Sequence, residues 1–251
     1  MIGIFDSGVG GLSVFREIKK LLPEEKYIYF SDNAYCPYGE KSKEQIIERA
    51  RQITDFLLEQ GADIIVVACN TATAAAIKTL REEYPKIPFI GMEPAVKPAA
   101  ALTKTGVVGV LATAGTLKAD KYRDTKGRHA EDVTVVEHIG QGFVEIVESG
   151  ETTGPKAESV VMESLEPLLD AGADTIVLGC THYPFLSETI AKVAEDLTPA
   201  RPVTIIDPAP AVARHLLEVM TTHDLIKREG FSFSLHASGD DSVLKNMVER
   251  L

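Results

Sequence analysis

Short β-branched runs alternate with longer amphipathic stretches along the whole chain. Residues 1–5, 27–30, 64–68 and 89–91 read as strands, and so do 107–111, 133–136, 175–178 and 203–206. Between them the apolar spacing changes. Ile46, Ala50, Ile53 and Leu57 fall on one helical face, and Val161, Leu165 and Leu168 repeat that spacing. Strands alternating with helices predict an α/β fold whose sheets are mainly parallel and covered on both faces.

The pattern also repeats. Residues 61–69 read GADIIVVAC and residues 172–180 read GADTIVLGC, an offset of 111. A fainter echo sets Gly3-Ile4-Phe5-Asp6-Ser7 against Gly109-Val110-Leu111-Ala112-Thr113, at an offset of 106. Two echoes in the same order predict two similar parallel-sheet α/β domains related by a pseudo-two-fold. Proline-rich breaks at 92–105 and at Asp207-Pro208-Ala209-Pro210 suggest the junctions. The expected domains are 1–95 plus 208–251, and 96–207. An interdomain cleft is a usual place for a small-molecule site.

Composition narrows the function classes. A chain of 251 residues with 45% apolar residues has ample core. A net charge of −11 argues against nucleic acid or an anionic membrane as the main partner. No apolar run reaches the roughly 18 residues of a membrane span. The opening MIGIFDSGVGG has neither a basic n-region nor a cleavage pattern, so no signal peptide and a cytoplasmic location are expected. The three cysteines, Cys36, Cys69 and Cys180, form no CxxC pair and read as free thiols.

Cys69 and Cys180 each follow a buried-type strand directly and precede a polar pair, Asn70-Thr71 and Thr181-His182. Ligands of open α/β sheets sit beyond the carboxyl ends of strands. One thiol per repeat, both at strand ends, suits inversion at a carbon: one thiolate removes a proton and the other thiol delivers one to the far face. Two buried structural cysteines are the plainer alternative for each taken singly, and the matched context favours the pair. Cys69, Cys180 and His182 also have ligand chemistry, yet no close ligand spacing supports a metal.

Asp6-Ser7-Gly8-Val9-Gly10-Gly11 leads from a strand into a helix, where backbone N–H groups cradle anions. A dinucleotide loop is the rival reading. Gly8 and Gly10 match its first two glycines, Ser13 replaces the third, and Asp32 stands where a ribose-binding acid would. The loop alone does not decide between them. Asp6 suits a helix cap or a group orienting a thiol or the substrate ammonium. The segment SDNAYCPYGEKS, residues 31–42, reads equally as a turn or as a loop whose Tyr38-Gly39 closes over a ligand; its Cys36 has no echo and reads as incidental. His182, two residues after Cys180, is placed to tune that thiol. Glu145 and Glu148 lie one helical turn apart, a solvated face from which either acid can reach a site.

Taken together, these stretches resemble the glutamate racemases of bacterial cell-wall synthesis. FDSGVGGLSV (5–14), PYGEKS (37–42), CNTATA (69–74), EPA (93–95), GVLATAGTLK (109–118) and GCTHYPFL (179–186) occur in family order across nearly the whole chain. The resemblance implies a two-domain racemase without cofactor or metal, with glutamate as substrate and a homodimer as the assembly. It implies that Cys69 deprotonates D-glutamate and Cys180 deprotonates L-glutamate, that Asp6 and His182 assist the thiols, and that Glu148 is the family's acid. Ser7, Tyr38, Gly39, Asn70, Thr71 and Thr181 match substrate-holding positions, with Thr113 and Thr116 as additions. The chain departs from the family at Gly140-Gln141-Gly142, where many relatives carry Cys-Pro, and this bears on the geometry around Glu148. Because the Asp-Ser motif starts at residue 6, extended relatives regulated by a cell-wall precursor are expected to be a poor guide.

Overall fold

In the computed structural model, which describes residues 1–129 and 132–250, the alternation of strand and helix forms two parallel sheets. One unit comprises Met1–Met92 and Ala209–Leu251, the other Glu93–Pro208. The first unit begins with β1 (Ile2–Asp6), α1 (Leu12–Leu21), β2 (Lys26–Ser31), α2 (Lys43–Glu59), β3 (Ile64–Val67), α3 (Asn70–Glu83) and β4 (Phe89–Ile90). The second contains α4 (Val96–Leu102), β5 (Val107–Ala112), α5 (Ala114–Lys118), α6 (Asp120–His129), β6 (Thr134–Ile139), α7 (Phe143–Glu148), α8 (Pro155–Asp170), β7 (Thr175–Gly179), α9 (Ser187–Leu197) and β8 (Thr204–Ile206). The chain then returns to the first unit with α10 (Ala209–Thr222), β9 (Ser232–Ala237) and α11 (Ser242–Val248).

The first sheet runs β4-β3-β1-β2-β9 and the second β6-β5-β7-β8, with every pairing parallel. Strands β5 to β8 thus repeat the connectivity of β1 to β4. The register repeats too. Gly3 lies opposite Ile65 in one sheet, and Gly109 opposite Ile176 in the other. Those are the residues that the two sequence echoes align.

The physical reason lies in the burial. β1, β3 and β7 are buried along their whole length, as parallel strands covered on both faces require. Helix α2 buries Ile46, Ala50, Ile53 and Leu57, and a capping box between Ser42 and Gln45 starts it. Helix α8 buries Val161, Leu165 and Leu168. Gly3 and Gly109 let these helices approach, since a Cβ there would meet Leu57 at 3.3 Å and Leu168 at 3.1 Å respectively. Strand β9 carries no expectation from the sequence pattern. It is an edge strand whose Phe233 is half-buried and stacks on Phe15 at 4.4 Å, so its apolar signal is weak. Among the described residues, no helix is long and apolar enough to cross a membrane.

Candidate active site

Each sheet reverses its strand order once. In the first unit the chain passes from β1 outward to β2, then returns to place β3 on the other side of β1. In the second unit β5, β6 and β7 do the same. Such a switch point opens a crevice beyond the carboxyl ends of the two central strands. Asp6 ends β1 and Ser7 follows it, and Cys69 lies two residues past β3, so these residues flank the first crevice. Thr113 follows β5, and Cys180 follows β7, so these flank the second.

In the first unit Cys69 caps the 14-residue helix α3. Its sulfur accepts the Ala72 N–H at 3.4 Å and lies 3.7 Å from the Ser7 hydroxyl. A donated N–H at a helix N-terminus favours the ionised form of sulfur. Asp6 is fully buried and accepts the Gly8 N–H at 2.9 Å, closing the turn that carries Ser7. Gly11 is required beside it, because a Cβ there would lie 2.6 Å from the Asp6 Cβ. Thr71 is buried next to Cys69. Asn70 is also buried, yet neither its amide nitrogen nor its amide oxygen has a hydrogen-bond partner. Buried polar groups are almost always paired, so this amide is a candidate ligand-binding group.

The 31–42 loop is organised by a buried acid. Asp32 is fully buried. Arg49 of α2 holds it with two donors, Nε at 2.9 Å and Nη2 at 2.6 Å, and the Tyr38 hydroxyl donates to it at 2.5 Å. Both carboxylate oxygens are therefore engaged, so Asp32 is not available to a ribose, and the dinucleotide reading loses its acid. Burial pushes the Tyr38 phenol well above its ordinary range, and the Asp32 charge pushes the same way. Tyr38 thus stays a neutral donor committed to Asp32. Its ring belongs to the same buried cluster as Cys69 and Ala72, and Gly39 is half-buried beside it.

In the second unit Cys180, Thr181 and His182 are all buried. His182 Nδ1 lies 3.7 Å from the Cys180 sulfur, and its Nε2 lies 2.5 Å from Glu148 Oε1. The arrangement is a carboxylate–imidazole–thiol chain. Glu148 ends α7 and reaches the imidazole, whereas Glu145 is exposed. The Gly140-Gln141-Gly142 departure leads into α7, the helix that carries Glu148. Gly142 starts α7 with φ of 78°, a left-handed conformation that suits glycine. Gly140 has no side chain to obstruct Tyr183, whose ring would lie 2.6 Å from a Cβ there and which packs edge-on against Phe143 at 4.8 Å. Thr113 caps α5, accepting the Thr116 N–H at 3.3 Å, and the two threonine hydroxyls lie 3.1 Å apart.

Within the first unit the structure therefore gathers Asp6, Ser7, Cys69, Asn70, Thr71 and the Tyr38-Gly39 segment. Within the second it gathers Cys180, Thr181, His182 and Glu148 at one strand end, with Thr113 and Thr116 beyond the neighbouring strand. Sequence reading passed over Arg49. It lies on α2 beside Ala50 of the apolar face and is only 18% exposed, but a lone arginine on an amphipathic helix carries no signal of its acid 17 residues upstream.

The family profile for Asp/Glu/hydantoin racemases matches residues 2–216. A glutamate racemase of Ectopseudomonas mendocina is 49% identical over 240 residues, spanning 96% of this chain and 89% of that protein. Among solved structures, a glutamate racemase isoform from Bacillus anthracis superposes with a TM-score of 0.87 at 33% identity, covering 100% of this chain and 92% of that one. Glutamate racemase from Francisella tularensis, solved in complex with D-glutamate, superposes with a TM-score of 0.83 at 30% identity, covering 99% and 92%.

Proposed function

This chain belongs to the glutamate racemases of the Asp/Glu/hydantoin racemase family, and we propose that Cys69 and Cys180 are the two acid/bases of its reaction. The chain is an isomerase that interconverts L- and D-glutamate, in a family that works without a cofactor and supplies D-glutamate for peptidoglycan. The observation that carries the assignment is the duplicated sulfur. Cys69 and Cys180 end corresponding central strands in matching registers, and each meets groups that move or stabilise a proton.

In this reading each thiol addresses one face of the same Cα. From D-glutamate, the Cys69 thiolate takes the α-proton, and the Cys180 thiol returns a proton to the opposite face. From L-glutamate the roles exchange. The substrate keeps its atoms and charge, and the two sulfurs exchange protonation states. The thiols are supported differently. The Ala72 N–H and the helix N-terminus stabilise the Cys69 thiolate, while His182, held by Glu148, is placed to take or give the Cys180 proton. The unpaired Asn70 amide, with Ser7, Thr71, Thr181 and the Tyr38-Gly39 backbone, binds the substrate's carboxylates and ammonium and offsets charge as the carbanion develops. Thr113 and Thr116 are further substrate-holding groups of the second unit. Asp6 shapes the Ser7 turn from behind. The same resemblance supports a cytoplasmic homodimer, an assembly that sedimentation at working concentration measures.

Carried out in D2O from either enantiomer, the reaction incorporates deuterium at Cα of the product. Replacing either Cys69 or Cys180 by alanine lowers racemisation by at least about 100-fold, the contribution of a positioned acid/base. Robust turnover by Cys69→Ala overturns the assignment.

A further inference from the structure

We infer that Arg49 is a positioning residue for substrate binding, acting through Asp32 on the Tyr38-Gly39 segment. The inference rests on the proposed site in one respect: that Tyr38-Gly39 lies against the ligand of Cys69.

The connection between β2 and α2 runs from Asp32 to Ser42 and carries only two short 3₁₀ turns, Asn33–Tyr35 and Tyr38–Glu40. Such a segment needs outside anchors to hold one conformation. Its capping box at Ser42 holds only the far end. The near end is held by Asp32, which has no solvent exposure and sits at the carboxyl end of β2, and by Asn33 and Ala34, which bond to Asp240, Gly239 and Ser238. A buried carboxylate is strongly unfavourable unless paired and hydrogen-bonded. Arg49 supplies the pairing, through a two-donor fork with one donor on each carboxylate oxygen. Asp32 in turn accepts the Tyr38 hydroxyl, six residues along the same segment. The guanidinium also covers the Tyr35 ring, 4.0 Å from its centroid. One arginine thus reaches both 3₁₀ turns, one through an aromatic face and one through a shared acid. Tyr38 is then seated in the buried cluster that contains Cys69 and Ala72. The charge-paired triad lies behind the binding segment, so its work is to set the position of the Tyr38-Gly39 backbone. A phenol committed to Asp32 is not the group that the substrate meets.

A fork replaced by a single donor, or by none, leaves the segment free to sample other positions and weakens the hold on glutamate, while the two sulfurs keep their own partners. Arg49→Lys retains charge with one donor and Arg49→Met retains neither. KM for both enantiomers rises in the order wild type, Lys, Met, reaching about tenfold for the loss of a charge-assisted pair, and kcat changes by much less. Tyr38→Phe removes only the hydroxyl and gives a similar rise. In the Arg49→Met/Tyr38→Phe double variant the two effects do not add, since both cut one chain of contacts. Hydrogen exchange across residues 32–41 provides a readout independent of turnover: it accelerates in each variant relative to the helices. An unchanged KM in active-site-titrated Arg49→Lys and Arg49→Met, or additive effects in the double variant, overturns the inference and leaves the two-thiol assignment intact. If the wild-type chain fails to racemise glutamate, the two-thiol assignment falls, while the exchange rates still report on the clamp. Unchanged exchange across 32–41 in all three single variants overturns the clamp itself.

Discussion

Gly61 and Gly172 adopt the same left-handed state, with φ of 90° and 94°. After Gly61 the Ala62 N–H returns to the Leu57 carbonyl, and after Gly172 the Ala173 N–H returns to that of Leu168. Each glycine is the stop of a helix, α2 or α8, in a Schellman turn. The repeated Gly-Ala-Asp is therefore an architectural signal, and the proposed chemistry lies with the cysteine at the other end of each repeat. An L side chain in this conformation costs about 1–2 kcal/mol. Gly61→Ala and Gly172→Ala should each lower the unfolding free energy by that amount, read from urea denaturation, while leaving kcat/KM per folded molecule unchanged. At this scale the sequence was legible where a residue answers to its own backbone. It was less so where a residue answers to a distant partner. Glu145 and Glu148 look alike in the chain, and only the position of His182, 34 residues after Glu148, separates an exposed acid from one bound to imidazole.

The elements that bear the site are tied to their neighbours by the acids of the two repeats. Asp63, before β3, pairs with the N-terminal ammonium at 2.6 Å and with Lys227 at 2.7 Å. Asp174, before β7, instead accepts the Thr103 hydroxyl at 2.6 Å and the N–H groups of Lys104 and Thr105 at 2.8 and 3.0 Å. It thereby fastens the α4–β5 connection to the strand that leads into Cys180. Burial raises the Asp174 pKa, but the Thr103 hydroxyl and the two backbone amides outweigh it, and the net displacement is below the ordinary 3.8. A depressed folded-state pKa contributes stability that is present above the unfolded value and is lost as pH falls through the folded one. Asp174→Asn should cost about 2 kcal/mol at neutral pH, in the range for hydrogen bonds to a charged group. The difference from wild type should narrow as pH drops below 3.8, measured by chemical denaturation at each pH. Helix and strand periodicity announced α2, α8, β3 and β7, because each buries a full face or both faces. The half-buried edge strand β9 had no such pattern to announce it.

For the whole molecule, two thiols proposed to serve one Cα make a joint demand. Saturating D-glutamate should slow alkylation of Cys69 and of Cys180 together, with the same half-saturating concentration, as read by mass spectrometry of the labelled peptides. Protection of one cysteine alone would contradict a shared ligand. The sequence by itself determined the alternating α/β architecture, the duplicated strand-to-cysteine unit and the family, because these depend on local periodicity and on motifs contiguous in the chain. Tertiary structure alone decided that Asp32 belongs to Arg49 and Tyr38, that Glu148 belongs to His182, and that Gly140 receives the Tyr183 ring. The physical reason is common to all three. A buried charge or a close ring contact is settled by whichever partner the fold brings within about 3 Å, and such partners come from elements whose separation in the chain leaves no mark on the residues between them.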